Sequence, residues 1–289
     1  MGGILITGSK GQLGSELKDI ENGFGGLSCL FHDVDTLDIT DKDALACFFS
    51  NQKPAFVINC AAYTAVDKAE SEPEKAEMIN ASAVANLTNE CSKHNTYLIH
   101  VSTDYVFDGT SYKPLTENMK VNPTSVYGKT KEKGEQYVLK YKNGIVIRTS
   151  WLYSYYGNNF VKTMLRLARE RGELNVVFDQ IGTPTNAADL ASAIQVIVNR
   201  IHANPDSFIG GVYHYSNEGV CSWFDFAKAI TLISNIPCKV NPIESKDYPL
   251  PAPRPFYSVL NKAKIKTTWC IDIPHWLDSL RGCLVKING

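Results

Sequence analysis

Met1-Gly-Gly-Ile-Leu-Ile-Thr-Gly8-Ser-Lys-Gly11-Gln-Leu-Gly14 decides the fold, because a short apolar run passes through three evenly spaced glycines into the helical stretch Ser15-Glu-Leu-Lys-Asp-Ile20. The apolar run reads as a buried strand. Gly8 permits a tight turn, Gly11 lets backbone N–H groups approach a pyrophosphate, and Gly14 lets the helix pack closely on the strand. An anion then sits at the helix N-terminus, where unpaired N–H groups and the helix dipole favour it. Glycines alone would equally make a ligand-free connector. Their position after a strand and before a helix supplies the context that a dinucleotide fingerprint needs.

Outward from this turn, strands and helices alternate. Leu27–Phe31 reads as a second strand, Asp41–Asn51 as a helix, and Ala55-Phe-Val-Ile-Asn-Cys60 as a third, continuously apolar strand. A long helix pattern covers Glu74–His94, followed by a strand at Tyr97–Val101, a helix at 127–141 and a strand at Gly144–Arg148. Apolar runs of this length between helices predict an α/β fold, a Rossmann-type doubly wound parallel sheet covered on both faces. Ligands of such sheets bind beyond the carboxyl ends of the strands. Gly8, Cys60-Ala-Ala62, Ser102-Thr103 and Ser150-Trp151 all fall at such ends and should line one crevice.

After Trp151 the rhythm loosens. Helices are expected at Phe160–Arg171, Ala188–Ile201 and Trp223–Ser234, with strands at Leu174–Phe178 and Val212–Tyr215. The four prolines between Asp247 and Pro255 impose an extended loop that carries Arg254. A guanidinium there suits a phosphate by bidentate bonding, and a surface arginine in a turn is an equal alternative. The expected organisation is a dinucleotide-binding domain at 1–152, together with about 186–216, and a smaller C-terminal substrate-binding lobe drawn mainly from 153–289.

Composition excludes several classes. A chain of 289 residues with 44% hydrophobic residues can bury a large core. A net charge of -1 leaves no basic footprint for a nucleic acid. No apolar run approaches the ~20 residues of a membrane span. The eight cysteines contain no C-x-x-C pair and the histidines no H-x-x-x-H, so the expectation is a cytoplasmic enzyme with neither a disulfide framework nor a metal site.

The candidate chemistry lies in Tyr127-Gly-Lys-Thr-Lys131, downstream of Ile99-His-Val-Ser-Thr-Asp104. On a helix, residues i and i+4 share a face, so phenol and ammonium point into the same space. A nearby ammonium stabilises the phenolate and draws a tyrosine toward the working pH range. Thr103, at a strand end, can bond the same substrate oxygen. By itself Y-x-x-x-K is common on solvated helices; its value here comes from the glycine turn upstream.

Taken together these residues resemble the extended short-chain dehydrogenase/reductase family. Longer runs resemble one branch of it, the dTDP-4-dehydrorhamnose reductases: Gly8-x-x-Gly-Gln-Leu-Gly14, Val57-Ile-Asn-Cys-Ala-Ala-Tyr63 through Pro73, and Ser102-Thr-Asp-Tyr-Val-Phe-Asp-Gly109. So do Arg148-Thr-Ser-Trp-Leu-Tyr153, Gly157-Asn-Asn-Phe-Val-Lys-Thr-Met164, Asp179-Gln-x-Gly-x-Pro-Thr185 and Arg254-Pro-x-x-Ser-x-Leu260. The resemblance, which runs to about residue 265, implies NADPH- or NADH-dependent reduction of the 4-keto group of a dTDP-sugar. It implies Tyr127 as proton donor, Lys131 as its tuner and ribose contact, and Thr103 as a hydrogen-bond partner of the same oxygen. Cofactor contacts carried over are Gly11, Gln12, Leu13, Asp38, Ile39, Ala61, Ala62 and Tyr63; substrate contacts are Thr103, Asp104 and Trp151. For Trp151 a place in the core is the competing reading.

Neighbouring activities are weighed by single residues. Sugar dehydratases of the superfamily carry an acid directly after Thr-Asp, where this chain has Tyr105. Epimerases share the Tyr/Lys pair but usually lack the Gly-Gln-Leu-Gly and Thr-Asp-Tyr-Val-Phe runs. A different class is a non-catalytic binding subunit resembling the beta subunit of methionine adenosyltransferase. For the cofactor, Asp33 and Asp35 stand where an acid binds a ribose diol and favours NADH, while Lys10 can receive a 2′-phosphate. Glu16 and Asp189 are two candidate carboxylates for a magnesium ion at a dimer interface, with no third in view; the expectation is no tight metal and a monomer or weak homodimer.

Overall fold

A computed structural model describes residues 2–288. Met1 and Gly289, the outer limits of the two expected segments, lie outside the described residues. Six strands form one parallel sheet: β1 (Ile4–Thr7), β2 (Cys29–His32), β3 (Phe56–Asn59), β4 (Tyr97–Thr103), β5 (Gly144–Thr149) and β6 (Gly211–His214). Their order is β6-β5-β4-β3-β1-β2, with every neighbouring pair parallel. The order reverses between β1 and β3, which opens a crevice above their carboxyl ends.

Alternate strand residues feed two cores, as period-2 side-chain geometry requires. Ile4, Ile6, Ile58, Ile99, Ile145 and Ile147 point to the face covered by helices Gln12–Asp19 and Ala187–Ala203. Leu5, Val57, Leu98 and Val146 point to the face covered by Lys42–Gln52, Ala83–His94 and Val126–Leu139. The sheet is therefore doubly wound.

Most element limits move by one or two residues from the sequence reading. Ser125 starts the helix bearing Tyr127 one residue early, its Oγ accepting from the Gly128 N–H at 3.1 Å. The long helix expected at 74–94 is one helical run interrupted by a π segment at Met78–Ser82. A third core forms after β5, from Tyr153, helices Phe160–Arg171 and Trp223–Ile233, strand Glu173–Val177 and Leu280. The chain leaves that core twice, first to lay Ala187–Ala203 and β6 against the main sheet and again with helix Ala263–Trp269, whose Ile265 and Trp269 join the first core. Among the described residues no helix is long and apolar enough to cross a membrane.

Candidate active site

Every strand end singled out in the sequence opens into one cleft of about 940 Å³. At its floor Gly8 takes φ +64, and a Cβ there would lie 2.6 Å from the Ala61 nitrogen. A Cβ on Gly14 would lie 2.5 Å from the Gly8 carbonyl oxygen. Only glycine tolerates both positions, so the turn is tight and the helix start at Gln12 faces the cleft. This cradle fits a dinucleotide pyrophosphate. Gly11, Gln12, Leu13, Asp38, Ile39, Ala61 and Ala62 line the same cleft. At one end Asp33 accepts from the Lys10 N–H at 2.8 Å and Asp35 pairs with the Lys10 ammonium at 2.6 Å. Two acids and one cation thus stand side by side there.

Thr103, Asp104, Tyr127, Lys131 and Trp151 line the other end. Thr103 closes β4 and donates to Asp104 Oδ1 at 3.0 Å. Asp104 is buried, and burial pushes its carboxyl up to about 6, with the hydroxyls of Ser258 and Thr103 opposing that rise. Tyr105, the residue after Thr-Asp, packs edge-on to Tyr127 with ring centroids 5.5 Å apart. It brings no acid to the cleft.

One electrostatic expectation is corrected. Lys131 was expected to draw Tyr127 downward; instead burial pushes the phenol up to about 12, with Thr103 opposing that rise only partly. The lysine nitrogen is turned to the Val101 carbonyl at 2.7 Å rather than to the phenol. Burial also brings Lys131 down to about 8.

Two expected contacts lie away from the cleft lining. Tyr63 donates its hydroxyl to Glu72 at 2.9 Å and its backbone N–H to Asn80 Oδ1 at 2.8 Å. Arg254 does sit in an irregular proline-rich loop, but its guanidinium is held by Asp67 at 2.7 Å and the Ala252 carbonyl at 3.1 Å, over the Tyr105 ring. No phosphate is needed to explain that arrangement. Trp151 lines the cleft and also packs on the core after β5: its backbone takes φ +48 and its indole stacks on Trp223 at 3.7 Å. Glu16 accepts from Ser154, and Asp189 from Asn217 and Ser279, so both carboxylates serve internal hydrogen bonds. Among the described residues no group of three potential ligands could hold a metal ion.

Sequence reasoning passed over Asn59 and His100. Asn59 Nδ2 lies 3.0 Å from His100 Nδ1, and His100 Nε2 lies 3.4 Å from Lys131 Nζ. The available signal was a polar residue inside each of two apolar strand runs.

Comparison with known proteins agrees with this geometry. The family described as RmlD substrate binding domain matches residues 1–288. A dTDP-4-dehydrorhamnose reductase of Aggregatibacter actinomycetemcomitans is 42% identical over 98% of this chain and 98% of that protein. A solved dTDP-4-dehydrorhamnose reductase of Clostridium acetobutylicum superposes with a TM-score of 0.92 at 41% identity, covering 99% of both chains. Another from Bacillus anthracis, solved in complex with NADP, gives 0.91 at 37% identity over 99% of both chains. With its glycine turn, its Thr103–Tyr127–Lys131 cluster and near full-length likeness to these proteins, this chain belongs to the RmlD family.

Proposed function

We propose that this chain reduces the 4-keto group of dTDP-4-dehydro-L-rhamnose to give dTDP-L-rhamnose, using NADPH or NADH. The observation that carries the reading is the convergence of Thr103, Tyr127 and Lys131 with the Gly8–Gly14 turn in one cleft. A bound nicotinamide supplies a hydride to C4. Tyr127 gives its phenolic proton to O4 as the carbonyl π pair moves onto that oxygen, leaving a secondary alcohol and a phenolate. Thr103 donates a hydrogen bond to the same oxygen. Lys131, as an ammonium, would hold the nicotinamide ribose, and solvent reprotonates the phenolate. A positioned acid of this type contributes about 10²–10⁴ in rate.

Asp104 accepts from a sugar hydroxyl, and Trp151 borders the sugar ring, both residues lining the cleft. Gly8, Gly11, Gln12, Leu13, Gly14, Asp38, Ile39, Ala61 and Ala62 hold the dinucleotide. Residues 1–152 with about 186–216 form the cofactor-binding unit, and 153–289 mainly the substrate lobe; the separate core after β5 supports that division. The enzyme works in the cytoplasm as a monomer or weak homodimer, which light scattering with and without EDTA checks.

The same site weighs against the other readings. Tyr105 gives a dehydratase no acid, and its phenol is itself pushed upward by burial. A regulatory binding subunit has no use for the complete Thr103–Tyr127–Lys131 set, and the relatives above are named as reductases. The test is oxidation of NADPH or NADH at 340 nm by the purified protein on dTDP-4-keto-6-deoxyglucose with the 3,5-epimerase present. Turnover that requires both sugar and epimerase is expected; absence of any sugar-dependent oxidation would overturn the reading.

A further inference from the structure

Thr7, Asn59 and His100 lie side by side on β1, β3 and β4, Thr7 opposite Asn59 and Asn59 opposite His100 in the parallel register. All three point to the face that carries the Tyr127 helix, and none is more than 1% exposed. A polar row through an apolar sheet is costly unless each donor meets an acceptor. The Thr7 hydroxyl is paired with Asn59 Oδ1 at 2.7 Å, and the Ala61 backbone N–H donates to that same atom at 3.2 Å.

The Ala61 contact fixes the whole row. A backbone N–H can only donate, so the Asn59 atom facing it is the carbonyl oxygen and Nδ2 faces the ring. An amide nitrogen also only donates, so His100 Nδ1 must be the bare acceptor. Burial, and next the Lys131 charge, hold His100 well below its ordinary value, so the ring is neutral with its single proton on Nε2. That N–H points at Lys131 Nζ, 3.4 Å away. Against an ammonium this is donor facing donor; against the amine, the nitrogen lone pair accepts. The bond to the Val101 carbonyl is open to both forms and does not choose between them.

We propose that His100 is a positioning residue acting through Lys131, its tautomer locked by Asn59 so that Nε2–H opposes the ammonium form and sets the alkaline limit of the reaction. This rests on the reading of Lys131 as a working part of the site. The other groups facing the lysine are few. Glu135, one turn along the same helix, favours the ammonium, as does Cys60 beyond β3. Glu135 is itself clamped by the Arg148 guanidinium of β5, at 2.9 Å and 2.6 Å, which absorbs much of its charge. Tyr127 and Asp104 line the same cleft, the phenol pushed up to about 12 by burial. Lys131 therefore loses its proton first, at about 8.

The tautomer is read directly by multiple-bond ¹⁵N–¹H spectra of protein labelled with [¹⁵N]histidine, the His100 signals being assigned by their loss in His100→Met. A protonated Nε2 with bare Nδ1 at neutral pH is expected; a protonated Nδ1 or an imidazolium overturns the proposal. The second readout is the pH profile of kcat/KM. His100→Met removes the opposing N–H, so the alkaline limb should move up by about one pH unit. A merely structural histidine would lower turnover without moving the limb, and a limb that stays or moves down overturns the proposal. The tautomer needs no turnover, so a wrong tautomer sinks this proposal alone. A Lys131→Met variant that still turns over sinks it together with the reading on which it rests.

Discussion

Tyr127 is nine-tenths buried, and burial holds its proton on tightly. That suits a donor that must wait for negative charge on the carbonyl oxygen before releasing its proton. Tyr127→Phe deletes one hydroxyl without a volume change. It should leave the melting temperature and cofactor affinity near wild type and lower kcat by about 10²–10⁴. Steady-state kinetics with a thermal melt checks this, and near wild-type turnover would show that the proton comes from elsewhere. At this scale the sequence was informative where chemistry repeats at fixed spacing. Thr103, Tyr127 and Lys131 were legible because a helix face and a strand end place them together. The direction of the Tyr127 shift was not legible, since it depends on burial and on where the lysine nitrogen turns. Arg254 failed for a related reason: Asp67 lies 187 positions away in the chain, and only the fold brings the two into contact.

The element that aligns the site is the helix Val126–Leu139, seated on the π segment Met78–Ser82. Asn80, inside that segment, donates to the Tyr63 carbonyl at 3.1 Å and to Thr130 Oγ1 at 3.2 Å. One extra residue in the helical turn re-aims this side chain toward its neighbour, a usual consequence of a π-bulge. The two elements touch at Gly134, where an added Cβ would lie 2.2 Å from the Asn80 carbonyl oxygen. Because that obstacle is backbone, the helices must separate to admit a methyl group. Gly134→Ala should therefore destabilise the fold by about 1–3 kcal/mol despite alanine's better helix propensity. Urea denaturation measures it; a variant as stable as wild type would mean that the contact is loose. The apolar periodicity of 74–94 was readable as a helix, whereas the bulge was not, because it leaves that pattern almost unchanged. Strands were read well for the opposite reason: continuous apolar runs between helices have few alternatives to a parallel sheet.

At the scale of the molecule, the glycine turn implied a doubly wound sheet, and the crevice follows from the reversal of strand order between β1 and β3. The sequence pattern could not supply that order, because all six strands read alike. The C-terminal lobe was the least legible part. Its core is assembled from short pieces separated by two excursions back to the sheet, so no single run carries its signature. The Trp151–Trp223 stack joins the end of β5 to that lobe, and Trp151 lines the cleft that holds Tyr127. On the proposed reading the whole arrangement serves one event, hydride delivery to a sugar carbonyl beside a buried tyrosine.

That event is tested most directly by following the hydrogen itself. The purified protein is supplied with NADPH deuterated at the transferable position of C4 of the nicotinamide, together with the epimerised dTDP-4-keto-6-deoxy sugar, and the product is analysed by NMR. The account predicts one deuterium at C4 of the sugar, with a solvent-derived proton on the new hydroxyl and none of this label in the Tyr127→Phe variant beyond a trace. Deuterium at another sugar carbon, or a product formed with no label, would contradict it.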